Sequence, residues 1–165
     1  MSHKSDSRDI RTFSTAAELR SLTLEIVRRG RRYLDVVSRN LEPSVFDTRE
    51  FVAAVKALVV NNPKAEVRII VLRPETLIGR QHRLVDLAQR LNSFIQIRRP
   101  SRDHWEFNEA MLICDRRNTI HCKIADRFEG SAYFDAEGRA AQLAQSFNEL
   151  WEYGEPDPNF RQLFL

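Results

Sequence analysis

Val67-Arg68-Ile69-Ile70-Val71-Leu72, closed by Arg73-Pro74, is the stretch from which the fold can be read. Four consecutive apolar residues, three of them β-branched, are typical of a strand covered on both faces, as in the interior of a parallel sheet. The proline that follows ends the run. Two comparable strands lie on either side in sequence: Tyr33-Leu34-Asp35-Val36-Val37-Ser38, and Phe94-Ile95-Gln96-Ile97, which Arg99-Pro100 terminates. Each gap between them holds one helix. Asp47-Thr48-Arg49-Glu50 is a capping box, followed by the apolar face Phe51, Val55, Leu58 and Val59 and the stop Asn61-Asn62-Pro63. From about Gly79 to Leu91, Leu84, Leu87, Ala88 and Leu91 share a helical face. Strand, helix, strand, helix, strand with short links predicts a parallel sheet with right-handed crossovers.

Working outward, Thr15-Ala16-Ala17-Glu18 is another capping box, and Leu19, Leu22, Ile26 and Val27 line the helix behind it. That helix stops at Arg28-Arg29-Gly30, with cations at the negative end of the dipole. Residues 1–13 read as a loose tail. Downstream, Ala110–Asp115 and Thr119–Ile124, joined by Arg116-Arg117-Asn118, predict an antiparallel hairpin. Its second strand alternates, with Ile120, Cys122 and Ile124 inward and Thr119, His121 and Lys123 on a wet face of an edge strand. A loop runs through Gly130. A last helix from about Ala136 to Tyr153 carries Ala140, Leu143, Ala144, Phe147, Leu150 and Trp151 on one side. The predicted architecture is a three-layer αβα domain with a mixed sheet over residues 14–153. A tail over 154–165 lies back on the body through Phe160, Leu163 and Phe164.

The 165 residues suffice for one domain with a core. The 42% apolar and 30% charged content excludes disordered, collagen-like and low-complexity classes. No apolar run is long enough to span a membrane. Two cysteines make no disulfide framework, so a reducing cytoplasm is the expected compartment. The 26 basic and 23 acidic residues leave a net charge of +3, and the basic set is almost entirely arginine. That admits a nucleic-acid partner, but with only a small charge excess behind it.

In an open sheet, ligands bind beyond the carboxyl ends of the parallel strands. Those ends bring Arg39, Asn40, Arg73 and Arg99 to one rim. The short link from Pro100 to Phe107 adds His104, Trp105 and Asn108. Guanidinium groups, an indole and an imidazole suit a phosphate or another anion. The ordinary alternative is that the arginines solvate strand ends or pair with Glu42, Glu75 and Asp103.

This order of elements, from about Ala17 to Trp151, resembles the phospholipase D superfamily, especially its small bacterial endonuclease-like members. The resemblance implies an H-x-K-x4-D motif on the first hairpin strand, with the His as nucleophile and the Lys steadying the phosphoryl oxygens. It also implies a frequent pairing of subunits, so a homodimer is one expected assembly. Aligned on the hairpin, the motif falls on Asn108-Glu109-Ala110-Met111-Leu112-Ile113-Cys114-Asp115, and only Asp115 matches. A carboxamide at Asn108 cannot attack phosphorus, and Ala110 cannot steady an oxyanion. A literal H-x-K occurs at His121-Cys122-Lys123, but Phe128 stands where that register needs the Asp, and Asp135-Ala136 where it needs Gly-Ser. The pattern is also similar to a bacterial domain family of unknown function sharing that fold, through the loop Asp126-Arg127-Phe128-Glu129-Gly130 and the tail Glu155-Pro156-Asp157-Pro158. Members of that family sometimes follow an acetyltransferase domain, and no such segment occurs in this sequence.

No phosphate-binding glycine loop is present, and Cys114, Cys122 and His121 fall short of a four-ligand zinc set. No cofactor or metal is therefore expected. The expected function is a catalytically inactive binding or accessory module for an anionic ligand or a partner protein. The alternative is a divergent phosphodiesterase or nuclease using His104 or His121.

Overall fold

In the computed structural model, which describes residues 9–160, the apolar run at Ile69–Val71 lies in β3 (Glu66–Val71). Its parallel neighbours are β2 (Tyr33–Ser38) and β4 (Ile95–Arg99). The hairpin β5 (Ala110–Cys114) and β6 (Asn118–Cys122) joins antiparallel to the free side of β2. β7 (Gly130–Tyr133) and β1 (Ile10–Phe13) extend that side, and β8 (Glu155–Pro156) adds to β4. The strand order is β1-β7-β6-β5-β2-β3-β4-β8. β5 is antiparallel to its neighbour yet lies beyond β2, so the link from β4 must pass over the carboxyl ends of β3 and β2.

Alternation along the central strands sorts side chains to two cores. Leu34, Val36, Val67, Ile69, Val71, Leu112 and Cys114 face α1 (Ala16–Arg28), α3 (Arg49–Val60) and α4 (Arg83–Arg90). Val37, Ile70, Met111 and Ile113 face α5 (Glu137–Tyr153) through Ala140, Leu143, Phe147 and Leu150. These are the helical layers and mixed sheet expected from the sequence.

Several local expectations are corrected. Ile10–Phe13, assigned to the tail, pair with β7, and Phe13 is buried. Only one residue of that strand is apolar and covered, so its partner rather than its pattern makes it a strand. Residues 1–8 and 161–165, with Leu163 and Phe164, lie outside the described residues; Phe160 packs against the core. The expected loop before the last helix contains β7. Consequently β6 is an interior strand, and its outer face is covered by α5: Thr119 is fully buried and His121 is half-buried. The third long helix begins at Arg83, not Gly79. Pro74–Leu77 form a 3-10 turn, Gly79 has φ +76°, and the His82 ring accepts the Leu84 N–H as the cap of α4. A short helix α2 (Pro43–Phe46), absent from the sequence reading, follows β2.

Candidate functional site

The site begins with the turn that leaves β2. Ser38 Oγ accepts the Leu41 N–H at 2.9 Å, and Leu41 takes a left-handed φ of 51° while fully buried. The buried His82 fastens the same turn by donating Nε2–H to the Leu41 carbonyl at 2.9 Å. Arg39 and Asn40 are thereby presented at the carboxyl end of β2. Above them lies a cavity of about 360 Å³, within the range of small-molecule sites. Its polar wall is Ser38, Arg39, Asn40, Glu42, Asp126 and Arg127. Its apolar wall includes Leu19, Val45, Phe46 and Phe128, with Ala110 and Cys122 beside them.

Arg39 Nη1 stands 2.9 Å from Asp126 Oδ2, with both side chains substantially exposed. Arg127 lies 3.7 Å from Glu129, outside the cavity lining. The loop supplying Asp126, Arg127 and Phe128 is anchored by the Ala125 N–H, which donates to the Asn108 carbonyl at 2.8 Å. The sequence did not select Glu42, Asp126, Arg127 or Phe128 as site residues. The last three lie in the loop segment that carried the family resemblance, which was the available signal.

The rim residues do not converge on one site. The Arg73 guanidinium stacks 4.8 Å over the Trp105 ring and donates to the Leu72 and Trp105 carbonyls. Arg99 faces Glu155 at 3.4 Å and Asp157 at 4.0 Å. His104 meets Ser101 at Nδ1, Glu149 at Nε2 and stacks on Tyr153. None of these, nor Asn108, lines the cavity; of the expected ligand-binding set, Arg39 and Asn40 do. The expected pairing of the arginines with Glu42, Glu75 and Asp103 is replaced by pairing with Asp126, Glu155 and Asp157 where ion pairs form.

Ala110, which the resemblance aligns with the motif's lysine, is among the residues that line the cavity. Asp115 lies at the opposite end of β5, roughly 16 Å away along the strand, and its carboxylate accepts the backbone N–H groups of Arg31, Arg32 and Tyr33. His121 and Lys123 border a different, shallow cleft with Thr12, Glu18 and Glu129. The His121 ring is engaged at both nitrogens. Arg139 can only donate, so it donates to Nδ1 at 2.9 Å, which leaves Nε2–H to donate to Glu109 at 2.6 Å. Both ring nitrogens are thus occupied by partners within the fold. Burial pushes the Cys114 thiol up to about 12 and the Cys122 thiol up to about 11, with Asp115 and Glu129 adding to the respective effects. Such thiols are inert near neutrality. Among the described residues, no group of three or more His, Cys, Asp or Glu side chains is placed to hold a metal.

Over residues 15–163 the sequence matches the family model described as Domain of unknown function (DUF7931). The chain belongs to that family. No curated protein matches it. Among solved structures, a phospholipase D family member, Nuc from Salmonella typhimurium, superposes with a TM-score of 0.66 at 13% identity, covering 93% of this chain and 99% of that one. NucT from Helicobacter pylori superposes with a TM-score of 0.62 at 10% identity, covering 90% and 99%. TrmBL2, an archaeal chromatin protein with a novel mode of DNA binding, gives 0.66 at 15% identity, covering 90% of this chain and 54% of that one. The fold is thus phospholipase D-like. No helix among the described residues is long and apolar enough to cross a membrane.

Proposed function

We propose that this chain is a catalytically inactive phospholipase D-like domain that binds a small ligand with an anionic group in the cavity at the carboxyl end of β2. One observation carries the reading: Ala110, which the resemblance aligns with the motif's lysine, lines a cavity that Arg39 also lines. An alanine there offers no oxyanion stabilisation, and Asn108 at the histidine position offers no nucleophile. Arginine forks remain suited to a carboxylate or phosphate.

Calorimetric titration with inorganic phosphate and with 4-methylpentanoate tests this. Arg39→Ala is expected to weaken anion binding by about ten-fold, equivalent to about 1.4 kcal/mol, while Arg99→Ala leaves it unchanged. Binding indifferent to Arg39 would overturn the proposal.

A second reading, a divergent phosphodiesterase, is favoured by the shared cleft of His121 and Lys123. Hydrolysis of a chromogenic phosphodiester that disappears in His121→Ala would replace the first reading with this one.

A further inference from the structure

The cavity beside Arg39 does not have the charge balance of a site for a bare phosphate. Arg39 and Arg127 are among its lining residues, but so are Glu42 and Asp126, and the Arg127 guanidinium pairs with Glu129 outside the lining. A dianion brought against both carboxylates would meet repulsion at short range in a partly desolvated space. The carboxylates also differ. Asp126 already faces Arg39 at 2.9 Å. Glu42 has no ion-pair partner among the described residues, although its side chain is half-buried at the cavity wall. A partly buried carboxylate without a cation is most favourably completed by one. Among the described residues Arg39 pairs with Asp126 through Nη1, and a guanidinium carries five N–H donors in its fork. Its lining also has an apolar part, formed by Leu19, Val45, Phe46 and Phe128.

We infer that this cavity takes a small zwitterion bearing an apolar group, of the α-amino-acid type. The ligand carboxylate lies against Arg39, its ammonium against Glu42, and its apolar group on the Val45–Phe46 wall. This assignment rests on the reading of the cavity as a ligand site and specifies the ligand class. It requires cationic and anionic groups on one molecule, with an apolar group to fill part of the 360 Å³.

Three related probes test it by calorimetry: L-leucine, 4-methylpentanoate, which lacks the ammonium, and isoamylamine, which lacks the carboxylate. Leucine is expected to bind at least about ten-fold more tightly than either, the equivalent of one charge-assisted contact. Glu42→Gln should remove the advantage of leucine over 4-methylpentanoate by weakening leucine, and should not weaken 4-methylpentanoate, which is relieved of a repelling carboxylate. Arg39→Ala should weaken both. Equal binding of leucine and 4-methylpentanoate, or tighter binding of inorganic phosphate, would overturn the zwitterion assignment and leave the anion-site reading standing. Binding of none of these probes would overturn both.

Discussion

Asp115 and Tyr33 hold each other in both directions: the Tyr33 N–H donates to Asp115 Oδ1 at 3.0 Å, and the Asp115 N–H donates to the Tyr33 carbonyl at 2.8 Å. The same carboxylate accepts the N–H groups of Arg31 and Arg32 at 2.9 Å each. The Asp115 carboxylate therefore clamps the entry of β2 to the end of β5. Its φ of 52° places the carboxylate on the turn that leads into β6, so the clamp also fixes the hairpin.

Removing this carboxylate should cost stability without touching the cavity. Asp115→Ala leaves three backbone donors without their acceptor and is expected to destabilise by about 2–4 kcal/mol. Asp115→Asn, which keeps one carbonyl and tolerates the left-handed backbone, should lose about half as much. Urea denaturation of the two variants measures this, and a loss in Asp115→Ala below about 1 kcal/mol would contradict the clamp.

Gly130 is where β7 passes closest to β6. A Cβ there would sit 2.1 Å from the His121 carbonyl oxygen. The obstacle is backbone, so the strands must part, and Gly130→Ala is expected to destabilise by about 2–4 kcal/mol. Gly138, near the start of α5, has nothing within 4 Å of the same position. Gly138→Ala should stabilise by about 0.5 kcal/mol. Thermal unfolding of the pair checks both, and equal melting temperatures would remove β7 from the sheet.

Asp35 is buried beside Arg68, whose Nε and Nη2 donate to its two oxygens at 2.8 and 3.0 Å. Burial raises the Asp35 carboxyl above 3.8, and Arg68 offsets that only in part. The folded chain thus binds this proton more tightly than the unfolded chain. Its contribution to stability is full below pH 3.8 and declines as pH rises through the elevated value. Arg68→Ala removes the offset and should cost about 3 kcal/mol at neutral pH. The cost should shrink toward pH 3.8, where a neutral Asp35 needs no cation. Denaturant titrations of wild type and variant at the two pH values decide it; a pH-independent cost contradicts the reading.

Both cysteines should be silent to a thiol reagent in the folded protein at neutral pH. Their thiols are buried and held at about 12 and about 11, and the thiolate is the reacting species. In urea both should react. Native labelling of Cys122 would show that the cavity it lines opens to reagents.

The parallel unit and the hairpin were legible because their signals are local. Val67–Leu72 can bury both faces only between helices, and the cap at Thr15 announces its helix within four residues, with the Glu18 N–H donating to Thr15 Oγ1 at 3.1 Å. Ile10–Phe13 and Gly130–Tyr133 carry no such signal: β1 is a strand through its pairing with β7, and β7 through its pairing with β1 and β6. That Asn108 and Ala110 stand at those positions was equally legible, since residue identity needs no fold.

The surroundings of His121 and the membership of the site were not. Alternation assigns Thr119 and His121 to one face, but whether water or α5 meets that face depends on where a helix 18 residues downstream packs, with Arg139 reaching His121 Nδ1. Arg39, Arg73 and Arg99 follow three strands that end on one rim, and periodicity treats them alike. Sequence by itself therefore determined the layers and the strand directions within the parallel unit. Only tertiary structure decided that Arg39 joins Glu42 and Arg127 around a cavity while Arg73 stacks on Trp105 and Arg99 turns to the tail. The physical reason is range: strand and helix patterns repeat within a few residues, whereas a charge finds its partner across the fold.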